Sequence, residues 1–197
     1  MFSKLVRRTH MYLALFLFPW ILMYALSTLA MNHRAIFTAK YGPGPVAFEK
    51  ERELEYAGFF PENAEPRAIS QQILSSVGLD GAHGVTRRKD GAIVINRNDL
   101  LVPRRLTYTP ADRRLLIEKL PPRPNAVLER FHRRRGYATG YRLDTVWAAS
   151  VDLVIIAMVF WVVSGLWMWW EMTVTRKLGL SALLGGAGLF ALYLLLL

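Results

Sequence analysis

Cysteine is absent from the 197-residue chain, so disulfides, thiolate catalysis, iron–sulfur clusters and cysteine-ligated zinc are all excluded. Histidine is scarce, with only His10, His33, His83 and His132 carrying an imidazole. Acidic residues number 15 against 25 Lys and Arg, for a net charge of +10. In a soluble chain that excess would point to nucleic acid. Here it accompanies long apolar runs, and a hydrophobic fraction of 53% exceeds what one soluble core requires. A bilayer surface or an acidic partner subunit is the expected counterpart, and nucleic acid is not. No nucleophile–base set, phosphate loop or metalloprotease signature occurs, which leaves hydrolase and nucleotide-dependent activities without residues to rest on.

What the chain does have is apolar length. Residues 146–170, VWAASVDLVIIAMVFWVVSGLWMWW, contain a single charge, Asp152, and cover the roughly 20 residues that a helix needs to cross a bilayer of about 30 Å. A first apolar run covers residues 11–31 and a third covers 178–197. Lys4, Arg7 and Arg8 precede the first run without any acid, so the amino terminus, residues 1–10, is expected in the cytoplasm. Residues 171–177, with Arg176 and Lys177, form a cytoplasmic turn that agrees with this orientation. A cleaved signal peptide competes for the first run, since Thr28-Leu29-Ala30 resembles a cleavage site; the run is longer than a signal core of about 7 to 15 residues, which favours a retained anchor. Pro19 lies mid-span and would kink the helix or be tolerated there.

Residues 32–145 turn polar and suffice for one small domain outside the cytoplasm. Tyr41-Gly42-Pro43-Gly44-Pro45 reads as a linker and Glu49 to Glu55 as a solvated strand or helix edge. Ile69, Ile73 and Leu74 have helical spacing, with Pro66 to start the helix and Gly78 to end it. Short runs follow at residues 85–88, 92–97, 103–109 and 115–120. They are bounded by Asp90-Gly91, Asn98-Asp99 and Pro110-Ala111-Asp112, which predicts a helix packed on an antiparallel meander. Pro121-Pro122-Arg123-Pro124 then breaks the structure ahead of the membrane.

The helix over 68–77, Asp90-Gly91 with Ile93-Val94-Ile95, Arg105-Leu106-Thr107-Tyr108 and the run from Asp112 to Ile117 resemble a PepSY domain. Arg7-Arg8-Thr9-His10, Leu128 to His132, Gly136, Gly140 and Ser164-Gly165-Leu166-Trp167-Met168-Trp169-Trp170 extend the likeness to the PepSY-associated transmembrane family. Its members are bacterial membrane proteins, and some similar proteins carry b-type haem and pass electrons across the inner membrane to ferric siderophores. The resemblance implies a periplasmic side for the domain and makes His10 and His132 the matched histidines. Imidazole nitrogen is an ordinary axial ligand for haem iron. Fuller members have four or more spans, whereas this chain shows three, with no histidine placed inside one.

His10 and His33 bracket the first span and are about 35 Å apart along a helix, too far to share one haem. His33 and His132 are both expected at the outer face, which makes them the pair within the chain that would sandwich one iron. Interfacial histidines also bond headgroups or carbonyls without any metal, and His83, on a glycine-flanked turn, is read as a solvated loop residue.

Asp152, about two turns into the second span, is either a relay or subunit-contact carboxylate or an interfacial partner of Arg142 or another arginine. Arg130, Arg133, Arg134 and Arg135 flank His132 and suit phospholipid headgroups, acids of a partner, or haem propionates. Trp167, Trp169 and Trp170 are interfacial anchors. Ser181 with Gly185, and Ala182 with Gly186, allow close helix approach in lipid, with packing on the first two spans the simplest use. The expected fold is therefore a membrane protein with three transmembrane α-helices and one small α+β PepSY-like extramembrane domain. The expected role is a non-catalytic accessory subunit of a larger membrane complex, with b-haem electron transfer as the alternative. Inhibition or chaperoning of a periplasmic protease is a third reading, from fold analogy alone.

Overall fold

Asp90-Gly91 and the segment Pro110 to Arg113 each reverse the chain, and the strands they join define the sheet. The computed structural model describes residues 1–42, 46–58, 60, 64–134, 136–137 and 140–197. Its elements are α1 (Phe2–Asn32), α2 (Arg34–Tyr41), β1 (Glu49–Glu55), α3 (Pro66–Ser76), β2 (His83–Arg87), β3 (Ile93–Arg97), β4 (Arg104–Thr109), β5 (Arg114–Lys119), α4 (Pro124–Arg133), α5 (Arg142–Glu171) and α6 (Arg176–Leu196). They divide into two units, one of residues 1–21 with 151–197 and one of residues 22–150.

In the second unit five strands pair antiparallel in the order β1-β5-β4-β3-β2. Gly91 takes φ +83° between β2 and β3, a conformation open to glycine at little cost. The strand period of two puts Ile93, Tyr108 and Leu115 in one row and Ile95, Leu106 and Ile117 in the next. These six residues are buried, and Ile69, Ile73 and Leu74 of α3 close over them. Pro66 occupies the first turn of α3, where its missing N–H costs nothing, and Gly78 follows the helix at φ +69°.

The charged segment 49–55 is an edge strand, β1, which pairs with β5 and carries a bulge between Lys50 and Arg52. Glu51 is the extra residue of that bulge. Its carboxylate is re-aimed to Arg104 of β4, whose Nε and Nη2 donate at 2.7 and 3.1 Å. Two helices were not anticipated. The residues after His33 form α2, and the proline-rich break becomes the first turn of α4, because proline is well suited to that position.

The first unit is helical. Leu17, Val154 and Ala157 are buried together, with Leu13, Trp20, Met158 and Trp161 packed around them, so α1 and α5 meet along one apolar stripe. α1 begins at Phe2, and Pro19 lies inside it without ending it. His10, placed ahead of the span by sequence, is therefore within the helix. α6 contradicts the expected packing of small residues on the first two spans: it has no buried residue, and a Cβ added at Gly185, Gly186 or Gly188 would meet nothing within 4 Å. Only its start is engaged. Gly179 sits tight against the indole of Trp169, and Arg176 donates to Trp170 O at 2.7 Å while lying over the Trp170 ring.

Candidate functional site

The polar side chains of the second unit gather on α4 and the elements around it. Arg130, His132 and Arg133 fall in the last turn of this helix, where cations complement the partial negative charge of the carbonyl end. Arg130 reaches back to the β3–β4 connection, its Nε 2.9 Å from Leu100 O and its Nη2 3.2 Å from Leu101 O. Burial pushes its pKa below the ordinary arginine value, and Asp99 partly offsets this. Glu129 accepts from Arg34 at 3.0 Å and from Arg133 at 3.1 Å. Arg134 pairs with Asp144, in the first turn of α5 and only 2% exposed. Asn98, Asp99, Arg130, Arg134 and Asp144 border a cavity of about 530 Å³.

His132 is half-buried beside α1. Its Nδ1 is 2.7 Å from Ser27 Oγ, and its ring meets Tyr24 edge-on at 4.9 Å. Ser27 Oγ also donates to Tyr24 O at 2.9 Å, an arrangement that matches the Nδ1–H tautomer of His132. The first unit repeats the arrangement. His10 Nδ1 is 2.9 Å from Ser164 Oγ, Ser164 donates to Trp161 O, and the imidazole stacks on Trp161 at 5.4 Å. In both cases Nδ1 makes the serine contact and Nε2 is the ring nitrogen left over.

The other sequence-predicted positions are placed as follows. His33 caps α2 from an exposed position without a side-chain hydrogen bond, and no bond or ring contact joins it to His132 among the described residues. Asp152 is on an exposed face of α5. Arg135 lies outside the described residues. Ser181, Ala182, Gly185 and Gly186 are all exposed. His83 is corrected: it opens β2 half-buried, with Nε2 2.9 Å from the buried Ser70 Oγ and Nδ1 2.8 Å from Gly81 O, because α3 packs its Ser70 against that end of the sheet.

Sequence reading did not single out Ser27, Tyr24, Glu129 or Asp144, and it named Ser164 only within a motif and not as a partner of His10. Hydroxyls inside apolar runs and an acid in the first turn of a helix were the available signals. Among the described residues no three His, Asp or Glu groups assemble as metal ligands, and the carboxylates near α4 face arginines, an arrangement suited to holding charged groups in place.

Fold and site together define a chain in which three helices are long and apolar enough to cross a membrane, joined to a small antiparallel sheet with a helix on one face. Comparison with family models, with curated proteins and with solved structures finds no match.

Proposed function

We propose that this chain is a non-catalytic accessory subunit of a larger membrane assembly, of the PepSY-associated transmembrane type, with its amino terminus in the cytoplasm and its sheet domain on the periplasmic side of a bacterial inner membrane. The observation that carries this reading is α6. Its small residues Ser181, Ala182, Gly185 and Gly186 are uncovered, with open space where a glycine Cβ would stand. Small residues four apart let a neighbouring helix approach closely in lipid. The basic residues ahead of α1 and after α5 support the orientation.

The paired histidines favour a second reading, b-haem electron transfer. His10 and His132 are each held through Nδ1, the way an imidazole is oriented when its other nitrogen ligates a metal. Each would offer Nε2 to an iron, and haem would supply one-electron chemistry. Purification of the tagged chain from its native membrane in mild detergent separates the two. The accessory role predicts a colourless chain in fixed ratio with other subunits, released by Gly186→Leu. A chain isolated alone with a reducible b-type spectrum that disappears on His132→Ala overturns it.

A further inference from the structure

Where α1 ends, its last turn, α2 and the start of α4 enclose a second cavity of about 280 Å³. Its polar wall is made by Arg34, Thr38, Tyr41, Arg123, Asn125 and Glu129. The charge there is unbalanced. Glu129 is the one carboxylate lining the cavity among the described residues, and it already serves Arg34 and, from outside the cavity, Arg133. Arg123 has no carboxylate partner among the described residues; its guanidinium lies 5.8 Å from the centre of the Tyr41 ring, whose other cation is Lys40 at 5.4 Å. Asn125 Oδ1 is sealed from water and has no hydrogen-bond partner among the described residues. Turning the amide over presents two N–H donors in place of that unpaired oxygen. The same turn of α4 begins at Arg123 without a side-chain cap, and its first backbone bond is Val127 N to Arg123 O, so the N–H groups of residues 125 and 126 have no intrahelical acceptor.

We propose that this cavity binds the phosphate of a phospholipid headgroup. A tetrahedral anion answers each of these features: the uncompensated Arg123, the second cation Arg34, the unpaired amide of Asn125 and the open N–H groups of α4. The bilayer is the source because the cavity starts at Ala30 and Met31, the last residues of the first apolar helix, at the depth where headgroups begin if α1 spans. That step rests on α1 crossing a membrane and is independent of the accessory role.

The test is native mass spectrometry of the full chain released from mild detergent, titrated with phosphatidylglycerol and, separately, with inorganic phosphate. The wild-type chain is expected to retain one lipid per chain, to resist displacement by millimolar phosphate, and to lose about tenfold in lipid affinity on Arg123→Gln. Arg123→Lys, which keeps the charge, recovers part of the loss. Arg87→Gln, on β2 away from the cavity, leaves binding unchanged and controls for general charge. Unaltered lipid retention in a folded Arg123→Gln chain overturns the site. Displacement of lipid by inorganic phosphate overturns the lipid assignment in favour of a free anion, and recovery of the chain in the soluble fraction overturns the span instead.

Discussion

Ser27 Oγ stands 2.7 Å from Nδ1 of His132 and 2.9 Å from Tyr24 O, so one serine hydroxyl links α4 to the backbone of α1. Ser27 is wholly buried, so Ser27→Ala would leave Nδ1 of the half-buried His132 without its partner. Interhelical polar bonds of this kind average below 1 kcal/mol, while an unsatisfied donor costs about 1–3 kcal/mol. The expected loss is about 1 kcal/mol in thermal unfolding of the detergent-solubilised chain. His132→Phe combined with Ser27→Ala should cost less than the two single losses added, since the orphaned Nδ1 is gone. Strict additivity would show that the two side chains do not interact.

Arg134 and Asp144 place opposite charges across the connection from α4 to α5, with the Asp144 side chain 3% exposed. A carboxylate so deeply buried depends on its partner, and the start of α5 adds only a partial positive charge. Arg134→Ala should therefore destabilise by about 3 kcal/mol. The double change Arg134→Met with Asp144→Leu should recover most of it, because no isolated charge remains. Equal losses for the single and double variants in equilibrium denaturation would assign the effect to packing.

Much of the fold was legible because its signals are local. The period-two runs and their turns gave β2 to β5 to within a residue or two, Pro66 and Gly78 bracketed α3, and apolar length gave α1, α5 and α6. The rest depends on what lies opposite in space. Segment 49–55 alternates charge and reveals nothing of its partner until the bulge at Glu51 is seen to reach Arg104. α4 was hidden by its own prolines, which read as a break before the membrane although Pro124 occupies a helical first turn. The histidines were legible as polar exceptions, but not their serines, since a hydroxyl in an apolar run resembles filler until its acceptor is known. His83 was misread because flanking glycines suggest a free loop, whereas Ser70 is ten or more residues away in sequence and 2.9 Å away in space.

Acid should loosen the sheet through three carboxylates. The hydrogen bond from Arg104 holds Glu51 below its ordinary value of 4.5, and hydrogen bonds from Lys50 and then Arg114 do the same for Glu53. For Asp99 burial pushes upward, but the Arg97 hydrogen bond and the Leu101 N–H outweigh it and the net direction is down. A group whose folded pKa is lowered contributes stability above its unfolded pKa and loses it as pH falls through the folded value. Melting temperature should therefore hold from neutrality to the ordinary carboxylate range and fall below it. Glu51→Gln lowers the neutral melting temperature modestly and should converge with the wild type in acid. A constant gap between the two curves at every pH would show that the ion pair is not the cause.

Gly136 is buried against the start of α5 with no space for a side chain. A Cβ there would run into the backbone oxygen of Asp144 and the Cβ of Ala148, on the first two turns of α5. The obstruction is backbone and a short side chain rather than the end of a flexible one, so relief requires Gly136 to move away from the helix. Gly136→Ala should cost about 1–3 kcal/mol by overpacking. It should also loosen the Arg134 to Asp144 pair, because Gly136 is two residues from Arg134 and rests against the Asp144 backbone. The check is a comparison of Gly136→Ala with Gly185→Ala, where open space surrounds the added methyl and alanine improves helix propensity. The first should melt several degrees lower and the second no lower than the wild type. If Gly136→Ala melts with the wild type, Gly136 is not held against α5 and the buried setting of Asp144 has another cause.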